Sequence, residues 1–237
     1  LFAFRAGPWW SHNHGDQNSF ILESYGERFA IDLGYGSRYQ GYFGNVNDPY
    51  VGSIGHNTVL IDGYGQQVKQ PSRSSEKGGV IRSFMSIPGY DYVLGDSSDT
   101  YPSPMQLFAR RVTFVKSAYF IICDEVRAAR PSRFSWLFHS LGNIEIKEDA
   151  ILVKGKKASL LVKVISPLQW NHQLLYDQRH MVGWEKEEPI EYVKVESEAE
   201  TRSLRFLMVM VPLASPSLTL PFSVTRILQD SVVGARV

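Results

Sequence analysis

Gln106-Leu107-Phe108-Ala109-Arg110-Arg111-Val112-Thr113-Phe114-Val115, then a short break at Lys116-Ser117, then Ala118-Tyr119-Phe120-Ile121-Ile122-Cys123-Asp124-Glu125-Val126 reads as two strands with a hairpin-length gap. β-branched and aromatic residues crowd both runs, and such side chains suit a pleated, half-buried surface. The same signal recurs outward in both directions. Strands are expected at 19–25, 28–33, 57–62, 79–87, 92–95, 133–139, 144–148, 151–154, 159–165, 191–196, 203–211, 222–227 and 231–237. Turn residues punctuate them, as at Tyr25-Gly26-Glu27, Asp62-Gly63 and Pro88-Gly89. No long amphipathic helix competes. The expected fold is therefore all-β, a large antiparallel multi-stranded β-sandwich with little helix, of the supersandwich kind.

Composition limits what such a sandwich can do. The 237 residues are 43% hydrophobic and 13% aromatic, enough for one sizeable core, so residues 1–237 are read as a single domain. Lys+Arg 25 against Asp+Glu 24 leaves a net charge of +1, which argues against a nucleic-acid partner bound through a broad basic surface. The local basic run Lys154-Gly155-Lys156-Lys157 reads as a solvated turn. A single cysteine, Cys123, excludes an internal disulfide and reads as packing. The longest apolar stretch, 206–213, is too short to span a membrane. Its opening, Leu1-Phe2-Ala3-Phe4-Arg5, carries no leader-like pattern and reads as the middle of a larger protein.

Chemistry concentrates near the start, in Trp10-Ser11-His12-Asn13-His14-Gly15-Asp16. On an extended backbone His12 and His14 would share a face, within reach of one metal or one anionic substrate. Asp32 and His56 stand at strand ends beside glycines. Zinc accepts imidazole and carboxylate donors, so His14, Asp32 and His56 read either as ligands of one metal or as hydrogen-bonded strand-end residues. Asp16 reads as an acceptor that orients a histidine, or as a turn residue. Tyr35, Tyr39, Tyr42 and Phe43 could line a sugar cleft or fill the sandwich, and Arg110 could meet a substrate carboxylate or pair with Asp124 or Glu125. His139 reads as a core histidine. Two long gaps, 35–55 and 168–189, interrupt the strand rhythm; the second reads as ordinary loop packing or as a flap with aromatic platforms for sugars.

The ordered motifs Phe4-Arg5-Ala6-Gly7-Pro8, His12-Asn13-His14-Gly15-Asp16-Gln17-Asn18-Ser19-Phe20, Ala30-Ile31-Asp32-Leu33-Gly34-Tyr35 and Gly55-His56-Asn57-Thr58-Val59-Leu60-Ile61-Asp62-Gly63 resemble the heparinase II/III-like family of polysaccharide lyases. Arg110-Arg111-Val112 through Asp124-Glu125, and Trp136-Leu137-Phe138-His139, resemble it more loosely. The resemblance implies a C-terminal β-sandwich that follows an N-terminal α/α toroid in the parent protein, the toroid being absent here. It implies that His14, Asp32 and His56 hold a structural zinc, while His12 faces the substrate cleft as a secondary catalytic acid or base. For the two histidines to diverge, Asn13 must lie in an irregular turn or bulge. Asn13, Tyr35, Tyr39 and Arg110 are then candidate contacts to an acidic polysaccharide, heparin/heparan-like or alginate-like, cleaved by β-elimination. The toroid supplies the main tyrosine and an Asn or His, so the domain alone is expected to be inactive. A substrate of that class implies a periplasmic or secreted protein. The alternatives are a non-catalytic carbohydrate-binding module and a purely structural zinc-stapled sandwich.

Overall fold

Strand follows strand through the whole chain. The computed structural model describes residues 1–9, 13–34, 50–67, 78–182, 186–215, 223–229 and 232–237. In chain order the strands are β1 Phe2–Arg5, β2 Ser19–Ser24, β3 Glu27–Ala30, β4 Val59–Ile61, β5 Val80–Ser86, β6 Tyr90–Asp96, β7 Met105–Val115, β8 Tyr119–Ser132 and β9 Phe134–Ser140. There follow β10 Asn143–Lys147, β11 Ala150–Lys154, β12 Ser159–Ser166, β13 Trp170–Val182, β14 Lys186–Ser197, β15 Thr201–Leu213, β16 Thr225–Gln229 and β17 Val232–Arg236. Among the described residues the only helical pieces are single 3₁₀ turns at Ser53–Gly55 and Ser98–Thr100. The all-β expectation holds.

These strands form four sheets: β1-β2-β3, the eight-stranded β10-β11-β12-β15-β8-β7-β6-β5, the four-stranded β13-β14-β9-β4, and the hairpin β16-β17. Every strand pairing is antiparallel, including the β7–β8 hairpin, in which Val115 faces Tyr119. Tyr25 and Gly26 both have positive φ, 52° and 75°, the geometry that lets a two-residue turn follow the strand twist between β2 and β3. Asp62 and Gly63 repeat it after β4, with φ 52° and 79°.

Alternation along the strands sorts side chains between two cores. On β15, Phe206, Met208 and Met210 face a central cluster, while Val209 and Val211 face a second one. The central cluster joins three sheets: Phe20 and Phe29 from the first, Phe108 and Ile122 from the second, Trp136 and Phe138 from the third. Phe2 stacks on Phe20 and Phe120 with centroids 5.5 and 4.9 Å apart. The second cluster is closed by Val224 and Ala235 at the β16–β17 hairpin. The opposite end of the large sheet differs: β5 is an exposed edge strand, with Phe84 69% exposed.

The region 168–189, expected as a loop, is instead β13 and the first part of β14, paired antiparallel from Trp170↔Ser197 to Val182↔Lys186. The reason is position. As the outer strand of its sheet, β13 packs Trp170 and Leu174 on the central cluster and Leu175 on a smaller one, and exposes Asn171, His172 and Gln173. An irregularity between Leu175 and Gln178 further breaks the period-2 pattern. Trp170 is half-buried against the core; Trp184 lies outside the described residues. The short β1 was also unforeseen, since four residues carry little periodic signal.

Arg110 is fully buried, its fork donating to both oxygens of Asp124 at 2.6 Å each. Its remaining terminal nitrogen donates to the carbonyls of Asn18 and Asn57, both at 2.6 Å. Of the two readings open for this residue, pairing with Asp124 is the one realised; the guanidinium presents nothing to a substrate. Burial pushes the Asp124 carboxyl above its ordinary range, and the Arg110 charge opposes that shift. Breaking such a pair leaves a buried charge uncompensated, so Arg110→Met is expected to cost about 3–5 kcal/mol in urea unfolding. Arg110→Met combined with Asp124→Leu should recover part of that loss, and a double variant no better than the single would refute the assignment.

Candidate metal centre

Three chain segments converge on the candidate site. His14 lies in irregular backbone between β1 and β2, as a divergence from His12 requires, though His12 itself lies outside the described residues. Its neighbour Gly15 docks the segment against residues 51–53: Gly15 N–H donates to Val51 O at 2.7 Å, and Ser53 Oγ donates to Gly15 O at 2.7 Å. A Cβ on Gly15 would stand 2.7 Å from Ser53 Oγ and 2.9 Å from Ser53 N, so only glycine permits this approach. Gly65 also crowds the Ser53 side chain. Asp32 follows β3, and its Oδ1 accepts the Gly34 N–H at 2.8 Å, a local turn that fixes the carboxylate. His56 follows the 3₁₀ turn Ser53–Gly55.

The geometry brings all three candidate ligands together. His56 Nδ1 and Asp32 Oδ2 are 2.9 Å apart, and the His14 and His56 ring centroids are 5.3 Å apart. His56 is fully buried, while the Asp32 side chain is 42% exposed. His56 Nε2 is also buried, with the Tyr50 backbone as its hydrogen-bonding neighbour. Burial pushes Asp32 upward, but the charge and hydrogen bond of His56 and the Gly34 amide outweigh it and hold the carboxyl at about 2. The same pairing raises His56 above its ordinary range against the opposing effect of burial. Among the described residues no group of three or more His, Cys, Asp or Glu is arranged so that it could hold a metal ion as it stands. Asp32 and His56 instead satisfy each other.

The residue types and spacing nonetheless suit zinc. Two imidazoles bound tetrahedrally at about 2.0–2.1 Å would have ring centroids about 5 Å apart, near the 5.3 Å observed for His14 and His56. Asp16 is nearby: burial raises its carboxyl, and His56 and Arg5 oppose that rise. Its direct partner is Arg5, at 3.0 Å. Asn13 is half-buried at the start of the segment. Arg110 belongs to the core, and Tyr35 and Tyr39 lie outside the described residues.

Around these ligands is a buried polar framework that the sequence reading missed. Gln66 Nε2 donates to Gln17 O at 2.8 Å, and Gln66 Oε1 accepts the Gln17 N–H at 2.9 Å. Ser53 Oγ accepts the Gln66 N–H at 2.9 Å, joining the His14 and His56 segments. His139 is fully buried and stacked on Tyr192 with centroids 4.8 Å apart; its Nε2 lies 2.9 Å from Ile54 O, which assigns the ring proton to that nitrogen. Burial, helped by the charge of His56, lowers His139 to about 3. Glutamines and asparagines spread over 50 residues give no periodic signal, and only their glycine neighbours hinted at close packing.

Two outcomes test this arrangement. Gly15→Ala forces Ser53 aside, and overpacking of this kind costs about 1–3 kcal/mol, read as a lower melting temperature; an unchanged value would refute the tight slot. His139 stays neutral when folded but takes a proton near pH 6.5 when unfolded, so its contribution to stability is complete above about pH 6.5 and is lost as pH falls toward 3. Stability should therefore fall between pH 6.5 and 5 by on the order of 1 kcal/mol per unit. In His139→Gln that slope should flatten, and its persistence would place the titration elsewhere.

Comparison with known proteins agrees with the fold and the ordered motifs. The family model described as heparinase II/III-like, C-terminal, matches residues 1–171. No curated protein matches significantly. Among solved structures, a heparinase III matches with TM-score 0.77 and 16% identity, over 96% of this chain and 34% of that one. Heparan sulfate lyase HepC from Pedobacter heparinus matches with TM-score 0.79 and 12% identity, over 98% of this chain and 35% of that one. At these identities the likeness shows the fold, and the chain spans about a third of the length of each structure. No helix among the described residues is long and apolar enough to cross a membrane. With ordered motifs, sandwich fold and a family match over most of its length, the chain belongs to the heparinase II/III-like family, as its C-terminal domain.

Proposed function

We propose that this chain is the C-terminal sandwich of a polysaccharide lyase, a single domain over 1–237, and that His14, Asp32 and His56 hold a structural zinc at its edge. The observation that carries the reading is the meeting of those three side chains, from three segments, in a domain of this family. The spacing of the two imidazoles supports zinc as the ion. Bound there, zinc would supply a cross-link among the three segments. His14, Asp32 and His56 then serve stability, and the preceding toroid of the parent chain provides most of the catalytic groups.

The proposed substrate is a uronic-acid polysaccharide, heparin/heparan-like or alginate-like. In its cleavage a base removes the C5 proton, the C4–O bond breaks, and the electron pair from the C–H bond becomes the C4=C5 double bond. The departing oxygen takes a proton from an acid. The uronate carboxylate must be neutralised first, because only then is the C5 proton acidic enough to remove. His12 is proposed to face the cleft as a secondary acid or base, suited by the near-neutral titration of imidazoles in general. Such substrates place the protein in the periplasm or outside the cell.

Elemental analysis of the untagged full-length protein should find about one zinc per chain. His14→Ala and Asp32→Ala should each lose it, and chelation should lower the wild-type melting temperature. Ultraviolet absorbance of unsaturated uronate should appear when the full-length protein meets its polymer, and not with the sandwich alone. Protein without metal, and variants of unchanged stability, would remove the zinc assignment; absence of unsaturated product from all uronate polymers would remove the lyase reading.

A further inference from the structure

Asn57 and His139 lie outside the candidate ligand set, yet they hold the backbone on both sides of it. Asn57 follows His56 directly and is fully buried. Its Nδ2 donates to Phe20 O at 2.8 Å and to Ile31 O at 3.0 Å, while its Oδ1 accepts the His139 N–H at 2.8 Å. Ile31 precedes Asp32, and its N–H donates to His139 O at 3.1 Å. Both backbone groups of Ile31 are thus taken, one by Asn57 and the other by His139. His139 Nε2 also holds Ile54 O, two residues before His56, at 2.9 Å. The Asn57 carbonyl is itself fixed by Arg110 at 2.6 Å.

Asp32 and His56 therefore project from backbone that is cross-locked immediately before one and on both sides of the other. Neither segment can shift without breaking a buried hydrogen bond, and an unpaired buried group costs about 1–3 kcal/mol. We propose that Asn57 and His139 are positioning residues that set the separation of Asp32 and His56 and thereby the affinity of the site for zinc. The proposal rests on the metal reading above and extends it to residues that never touch the ion. Partners of this kind typically govern about 10–100-fold in metal affinity.

The test is zinc affinity of the full-length protein, measured by competition with a chromogenic chelator, alongside the melting temperature of the chelator-treated protein. His139→Phe keeps a ring against Tyr192 but loses the bond to Ile54 O; His139→Gln can restore an N–H donor. The expected result is zinc binding weakened tenfold or more in His139→Phe and returned to within about threefold of wild type in His139→Gln. Asn57→Asp, which keeps the acceptor for His139 N–H and loses both donated bonds, should weaken zinc likewise and serves if His139→Phe does not fold. Wild-type affinity in the folded variants, with only the melting temperature lowered, would overturn the positioning role while leaving the metal reading intact. A wild-type protein that binds no zinc would sink the metal reading and the positioning role together.

Discussion

A guanidinium without access to water is the constraint on which the other parts depend. Arg110 needs acceptors for its buried donors, and it finds them on three different parts of the chain: the Asp124 carboxylate in β8, the Asn18 carbonyl before β2, and the Asn57 carbonyl before β4. The first belongs to the eight-stranded sheet, the second to the entry of the three-stranded sheet, the third to the segment that carries His56. Apolar packing makes the sandwich cohere, but it is tolerant of small slips. A charged fork with directional bonds is not, and it fixes the register in which the sheets meet.

From that anchor the candidate metal centre is reached in one step. Arg110 holds the backbone of Asn57, Asn57 holds Phe20, Ile31 and His139, and His139 holds the turn that precedes His56. The site is therefore continuous with the core and is not a loop feature laid on its surface. Asp32 alone is substantially open to solvent, so one side of the cluster is rigid and buried while the other is accessible. The polar framework between them is fully internal, and its glutamines and asparagines take backbone partners in place of water, Gln17 Nε2 and Asn18 Oδ1 excepted.

What could be read beforehand follows from what periodicity encodes. Strands such as β8 alternate because one face is covered, and β12 runs almost continuously apolar because both are, so their positions were legible. β13 was not, because an outer strand with exposed Asn171, His172 and Gln173 has the composition of a loop. His14, Asp32 and His56 were legible through their ordered motifs, since spacing alone could not say that segments 24 and 42 residues apart would meet. Asn57 escaped because its partners are 26, 37 and 82 residues away, and nothing local marks a side chain whose acceptors and donor come from other strands. Arg110 and Asp124 were recognisable as a possible pair; their complete burial was not, since charged strand residues ordinarily face water.

The slot around Ser53 carries a consequence for how this sequence can vary. Gly15 and Gly65 both press on Ser53, whose hydroxyl bonds to the backbone at 15 and 66. Positions 53 and 65 share a single small volume and form one combinatorial unit: a methyl group can enter at 65 only if position 53 gives up its own, whereas at 15 it would still meet the Ser53 backbone nitrogen at 2.9 Å. A library that randomises 53 and 65 one at a time would find almost nothing, whereas one that exchanges them together has room to trade Ser53 for glycine and place an alanine at 65.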